Sequence, residues 1–312
     1  MPPLENLRIY LAGHTGLVGS ALCRRFSRLA GVELIKATRS EIDLTDANAV
    51  EKFLYRIRPD IVVIAAGKVG GILANSIYPA EFIYENLAIQ ANLIHCSWKA
   101  GVKRLLNFGS ACMYPKECHQ PMRPDALMTG KMEPTSEPYA ISKLAGQSLC
   151  SSYNRQYGTS YVTAIPCNLY GPGDSFDPAD AHVIPALMGK FFKARMEKAE
   201  SVTLWGDGSA RRELLYVEDL AGACELLLRC YEGQDPVNIG SGESHTIREI
   251  AKVVAGVVGF QGEMDWDPSG PEGAREKLLD SSELRGLGWF PSTGLKTGLE
   301  QTYRWFRKNC KV

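Results

Sequence analysis

The chain has 312 residues with 35 basic and 35 acidic side chains, so bulk charge offers no hold on nucleic acid or a membrane surface, and a small-molecule ligand is expected instead. Its length exceeds that of a single small domain and predicts two unequal α/β parts. No stretch approaches the roughly 20 apolar residues of a membrane span, Met1-Pro2-Pro3-Leu4-Glu5 lacks a charged-then-apolar signal pattern, and a cytoplasmic location is expected. Nine cysteines, an odd number without C-x-x-C spacing, read as free thiols rather than disulfides or zinc ligands, and no metal is expected.

The first element is an apolar strand, Leu7-Arg8-Ile9-Tyr10-Leu11-Ala12. It runs into the turn Gly13-His14-Thr15-Gly16-Leu17-Val18-Gly19 and a helix over 20–26. Glycines spaced in this way between a strand and a helix let backbone approach a pyrophosphate, and the N–H groups at the helix start can hold it. A second strand, Val32-Glu33-Leu34-Ile35-Lys36-Ala37-Thr38, ends where an acidic residue would bind a ribose 2′-hydroxyl, but Arg39 stands there. A guanidinium pairs with a 2′-phosphate, which favours NADPH over NADH. Asp43 is a candidate acceptor for adenine.

Further apolar runs, Ile61-Val62-Val63-Ile64-Ala65-Ala66 and Arg104-Leu105-Leu106-Asn107-Phe108-Gly109, alternate with helical stretches such as 79–100. This rhythm predicts a Rossmann-type doubly wound parallel sheet accompanied by a smaller mixed α/β substrate domain. A strand over 161–165 leads into Pro166 and then Gly171-Pro172-Gly173, where the chain is expected to change domain. Beyond lie a helix over 181–198, a strand over 202–205 and a turn at Gly206-Asp207-Gly208. The strand over 214–217 and helix over 217–231 are expected to rejoin the larger unit. The division is therefore 1–165 plus about 212–234 for the NADP-binding domain, and about 166–211 plus 235–312 for the other.

Ser110, Tyr139 and Lys143 form a second constellation. Reducing a carbonyl with a nicotinamide needs a proton for the oxygen that becomes negative, and the phenol of Tyr139 can supply it. Lys143 lies one helical turn beyond, so its ammonium is expected to lower the phenol's pKa. Ser110, at a strand's C-terminal end, can hydrogen-bond the same carbonyl.

With these residues in place, the chain resembles the extended short-chain dehydrogenase/reductase family. The resemblance runs over nearly the whole chain. It is carried by Ala65-Ala66-Gly67-Lys68-Val69-Gly70-Gly71-Ile72, Gly109-Ser110-Ala111-Cys112-Met113-Tyr114-Pro115 and Glu137-Pro138-Tyr139-Ala140-Ile141-Ser142-Lys143. Trp205-Gly206-Asp207-Gly208 and Arg211-Arg212-Glu213-Leu214-Leu215-Tyr216-Val217 complete it. The resemblance implies the branch that uses NADPH to epimerise GDP-4-keto-6-deoxy-D-mannose at C3 and C5 and reduce it at C4, giving GDP-L-fucose. It further implies Cys112 as base and His182 as acid, with Pro166, Cys167, Asn168, Leu169 and His182 beside the nicotinamide. Lys190, Trp205, Arg212 and Glu272 would bind the GDP-sugar, Glu272 standing where the family commonly has Asp. Ala111 replaces a second Ser of many relatives. A homodimer built on the helices around 79–99 and 142–157 is likewise implied. Two other readings are a C4 reductase of a related GDP-4-keto-6-deoxy hexose or heptose, and a non-catalytic dinucleotide-sensing protein. An intact Ser110, Tyr139 and Lys143 argues against the sensor.

Overall fold

The computed structural model describes residues 4–177, 181–269 and 275–310. Its larger unit begins with β1 (Arg8–Ala12), α1 (Leu17–Phe26), β2 (Glu33–Ala37), α2 (Ala47–Ile57) and β3 (Ile61–Ile64). A short α3 (Ile72–Ile77) and long α4 (Pro79–Lys99) lead to β4 (Arg104–Phe108), α5 (Glu137–Tyr157) and β5 (Ser160–Pro166). These strands join one six-stranded parallel sheet in the order β2-β1-β3-β4-β5-β9, where β9 is Val237–Ile239. The strand β3 is buried at all four positions, as a strand covered by helices on both faces must be. Alternation along β1 divides the core: Ile9 and Leu11 enter the cluster on one face, Tyr10 and Ala12 that on the other.

After β5 the chain crosses at Pro166 and Cys167 into β6 (Asn168–Tyr170), which pairs with β8 (Arg211–Tyr216). The smaller unit contains α6 (Val183–Glu197), β7 (Ser201–Trp205), β10 (Ser244–Thr246), α8 (Ile247–Val258), β11 (Glu263–Asp267) and β12 (Glu276–Lys277). Here β8 carries β10 and β12, while β7 pairs with β11. The helix α7 (Val217–Cys230) packs on α1, and α9 (Ser282–Gly286) on β9; α10 (Leu295–Asn309) closes the described chain. A third apolar cluster fills the smaller unit, with Phe191, Leu204, Val254 and Phe306 among its members.

Two details differ from the sequence reading. The helix α1 begins at Leu17, three residues before the expected start, because Gly13 O takes the Gly16 amide at 3.3 Å and closes the turn early. The stretch from 235, expected to belong to the smaller unit, first supplies β9, the edge strand of the large sheet. Among the described residues, no helix is long and apolar enough to cross a membrane.

Candidate active site

The sheet order reverses beside β1: β2 lies on one side and β3 on the other, leaving a crevice at their C-terminal ends. Gly13 occupies this point with φ +81°, and a Cβ there would stand 2.5 Å from the Ala66 amide nitrogen. At Gly19 a Cβ would come within 2.0 Å of Gly13 O. Both positions therefore demand glycine, whereas Gly16 has only ordinary contact at 3.8 Å. Gly16 caps α1 without a side-chain hydrogen bond, so amides of the first turn, Leu17, Val18 and Gly19, have no intrahelical partner. Thr15 is exposed beside them, and the buried Nδ1 of His14 is unpartnered. An array of donors on a surface shaped by missing Cβ atoms fits a dinucleotide pyrophosphate.

Arg39 extends beyond β2 with its side chain 84% exposed, 3.8 Å from Glu85 at its nearest carboxylate. The carboxylates that follow are turned back on their own loop. Glu41 accepts from the Thr38 amide and hydroxyl, both at 2.7 Å, and Asp43 from the Thr45 amide and hydroxyl at 2.9 and 2.7 Å. Both Thr45 contacts fall on Asp43 Oδ1, and Asp43 and Arg39 are exposed on this loop.

The reaction centre lies where β4 meets the first turns of α5. Ser110 caps the 3₁₀ turn Ala111–Met113, its hydroxyl accepting the Cys112 amide at 3.2 Å, and it also hydrogen-bonds the side chain of Tyr139. Tyr139 and Lys143 are both buried, with Lys143 Nζ 5.8 Å from the phenol ring centroid. Cys112 packs against the cluster of Ala74, Phe82 and Tyr139, and the Phe82 ring meets Tyr139 edge-on at 6.1 Å. The expected lowering of the phenol's pKa is reversed. Burial raises it, the charge of Cys112 adds to the rise, and the Ser110 hydrogen bond opposes both. Burial likewise pushes Lys143 down to about 8. The ammonium's influence is outweighed because desolvation penalises both charged forms.

Two positioning residues escaped the sequence reading. Asn86 accepts the Lys68 amide at 3.1 Å and donates to the Lys68 and Phe82 carbonyls, fixing the loop at Gly67, whose Cβ would lie 3.7 Å from Lys143 Nζ. Gln90, one turn on, donates to Asn86 O at 2.9 Å and Ser142 O at 3.0 Å, tying α4 to α5 next to Lys143. A signal was present: Phe82, Asn86, Gln90, Leu93 and Ser97 form one buried stripe of α4, and amides on such a stripe need partners.

The opposite wall comes from the smaller unit. Arg212 on β8 is half-buried; burial lowers its pKa and Cys112 opposes that lowering, so the guanidinium lies within electrostatic reach of Cys112. Lys190 donates to Thr203 O at 3.1 Å and lies 5.2 Å from the Trp205 ring centroid, with Trp205 itself 58% exposed. His182 is the exposed N-cap of α6, its carbonyl accepting from Ala186 at 2.9 Å. Pro166, Cys167, Asn168 and Leu169 form the crossing from β5 to β6, where the buried Cys167 gives its amide to Ile239 O at 3.0 Å and its thiol is pushed well up by burial. Glu272 lies outside the described residues. A groove of about 960 Å³ elsewhere shares none of these residues; its Arg24, Arg25 and Arg229 are already paired with Glu218, Glu225 and Glu5.

Comparison with known proteins agrees with this arrangement. The chain is 49% identical to GDP-L-fucose synthase 1 of Arabidopsis thaliana over 98% of its length and 94% of the relative's. It is 47% identical to GDP-L-fucose synthase of Escherichia coli (strain K12), covering 98% of both chains. A solved GDP-mannoheptose C4 reductase from Campylobacter jejuni with NADP bound superposes with a TM-score of 0.89 at 34% identity, covering 98% of this chain and all of that one. The sequence profile of one family matches residues 9–240, which hold the glycine turn, Ser110, Tyr139, Lys143 and Arg212, and the chain belongs to that family, the NAD dependent epimerase/dehydratase family.

Proposed function

We propose that this chain is an NADPH-dependent epimerase and reductase that converts GDP-4-keto-6-deoxy-D-mannose to GDP-L-fucose. The observation that carries the reading is the Ser110–Tyr139–Lys143 constellation, its tyrosine and lysine buried, with Cys112 packed against the cluster that holds Tyr139 and Arg212 within electrostatic reach of Cys112. Relatives 49% and 47% identical to this chain bear the name of that activity. The α1 turn and Arg39 would hold NADPH, which would supply the hydride for C4.

Each side chain then has one task. Ser110 and Tyr139 hydrogen-bond the C4 oxygen, which acidifies the flanking C–H bonds and stabilises the enolate formed on deprotonation. Cys112 takes the proton at C3 and C5, and His182 returns one from the other face. A thiol and an imidazole are both side chains able to take and give a proton. Tyr139, held protonated by burial, gives its proton to the C4 oxygen as negative charge develops there. Lys143 orients the cofactor's nicotinamide half and replenishes that proton. Arg212 and Lys190 neutralise the diphosphate, Trp205 offers an apolar face, and Glu272 takes a hydroxyl.

The domain division follows the same logic, with the larger unit holding NADPH and the smaller closing over the GDP-sugar. In the cytoplasmic, homodimeric form we infer, α4 and α5 meet their copies in a four-helix contact. These two helices pack on each other and share an aromatic cluster of His95, Trp98, Tyr153 and Tyr157. The deciding experiment is turnover of GDP-4-keto-6-deoxy-D-mannose with NADPH in deuterated water, read by NMR. GDP-L-fucose labelled at C3 and C5 is expected. Reduction without label would leave a C4 reductase, and cofactor binding without turnover a sensor.

A further inference from the structure

The turn after β7 carries Trp205, a large aromatic side chain 58% exposed, and continues through Gly206 and Gly208, both at positive φ. Such a turn is intrinsically loose. Here it is clamped from three sides. The Gly206 amide donates to Asp267 O at 2.7 Å, at the end of β11. Gly208 lies flat on the indole of Trp266, where a Cβ would stand 2.7 Å from the ring. Arg248, in the first turn of α8, places its guanidinium 4.5 Å from the Trp266 ring centroid on which Gly208 lies. The same residue gives its amide to Gly208 O at 3.0 Å and its Nη2 to Asp207 O at 2.6 Å.

We propose that Arg248, stacked on Trp266, is a positioning residue for the nucleotide end of the substrate, fixing the Trp205–Gly208 turn so that the Trp205 face and Lys190 are presented in one geometry. The inference rests on the reading of Trp205 and Lys190 as GDP-sugar contacts. Arg248 acts through the turn and its floor: its donors go to the Asp207 and Gly208 carbonyls, and its charge to the Trp266 indole and the Asp207 carboxylate. A rigid flat face next to a cation binds a nucleoside diphosphate with less ordering cost than a mobile one. The effect should therefore appear in nucleotide affinity, leaving the chemistry at Tyr139 untouched.

Calorimetric titration with GDP tests this on the full chain and its Arg248→Ala, Arg248→Lys and Trp205→Ala variants, alongside NADPH affinity, kcat and KM for the keto sugar. Expected for both alanine variants is a GDP Kd raised about tenfold, with KM raised to match and kcat and NADPH affinity unchanged. The lysine variant, which keeps a cation over Trp266 and loses the fork to Asp207 O, should fall between. Gly208→Ala, which pushes against the same indole, should reproduce the Arg248→Ala defect from a different atom. If Trp205→Ala weakens GDP and Arg248→Ala does not, the positioning role is wrong and the Trp205 contact stands. If neither weakens GDP, the Trp205 reading falls and takes this proposal with it. A loss of GDP and NADPH affinity together with a lowered Tm would make Arg248 merely structural and overturn the inference.

Discussion

Lys143 is buried as a cation with no carboxylate beside it: desolvation alone pushes its pKa from 10.5 down to about 8. At about 1.4 kcal/mol for each tenfold change in proton affinity, holding the charge in the folded protein at neutral pH costs roughly 3 kcal/mol. Replacing it by methionine, of similar length and without charge, should therefore stabilise the cofactor-free protein while abolishing reduction. The sign follows from proton linkage. Below pH 8 folded and unfolded chains both hold the proton, so the cost is fully present. Between 8 and 10.5 the folded chain releases it first, and wild-type stability rises relative to the variant. The advantage of Lys143→Met should be about 3 kcal/mol at pH 7, about 2 at pH 9 and under about 1 at pH 10. Urea unfolding without cofactor at these pH values, followed by tryptophan fluorescence, measures it. An advantage that does not shrink with pH would assign the gain to packing and refute the buried-cation argument; no advantage at pH 7 would refute it outright.

Tyr139→Phe removes the proton donor but keeps the ring against Phe82, so NADPH oxidation should fall by about 10²–10⁴ while NADPH still binds, as fluorescence quenching would show. Unchanged turnover would remove Tyr139 from the acid role. Arg39→Ala should raise the KM for NADPH about tenfold and leave that for NADH unchanged, since the guanidinium is 84% exposed and its ion pair with Glu85 is long, at 3.8 Å. Asp174 is buried with Oδ2 unpartnered, and burial pushes its pKa from 3.8 up to about 7. The folded form thus holds the proton more tightly. The stability it contributes is full below pH 3.8 and lost as pH rises through 7, so Asp174→Asn should gain on wild type by about 4 kcal/mol between pH 4 and 8. Parallel urea midpoints for the two proteins across that range would refute it.

What could be read from the sequence was local. The strands β1, β3 and β4 are apolar runs bounded by polar residues. Gly13 and Gly19 are written into the chain because only glycine tolerates the approach to Ala66 and the turn's own carbonyl. The position of Arg39, the second residue past the end of β2, was legible from the strand itself. The strand β9 was not, since three residues, Val237-Asn238-Ile239, display no period and acquire their place only by pairing with β5. The partnership of β7 with β11 joins residues about sixty positions apart, so neither strand reveals the other, nor the Trp266 floor beneath Gly208. The direction of the Tyr139 shift was misjudged because one helical turn shows the nearby ammonium but not the burial that outweighs it.

That burial gives the site a common direction. It favours the neutral form of three groups of the site: Tyr139 is pushed up, and Lys143 and Arg212 are pushed down. Negative charge entering the cleft acts on all three alike, because an anion raises the proton affinity of a phenol, an ammonium and a guanidinium together. An anionic sugar nucleotide therefore strengthens the protonated state of Lys143, which the empty protein holds only at a cost, and keeps the phenol from ionising early. In the proposed reaction the proton would stay on Tyr139 until the charge that draws it off appears on the substrate oxygen. Residues that burial makes unfavourable in isolation become, with an anion beside them, an acid and its reserve held ready for one atom.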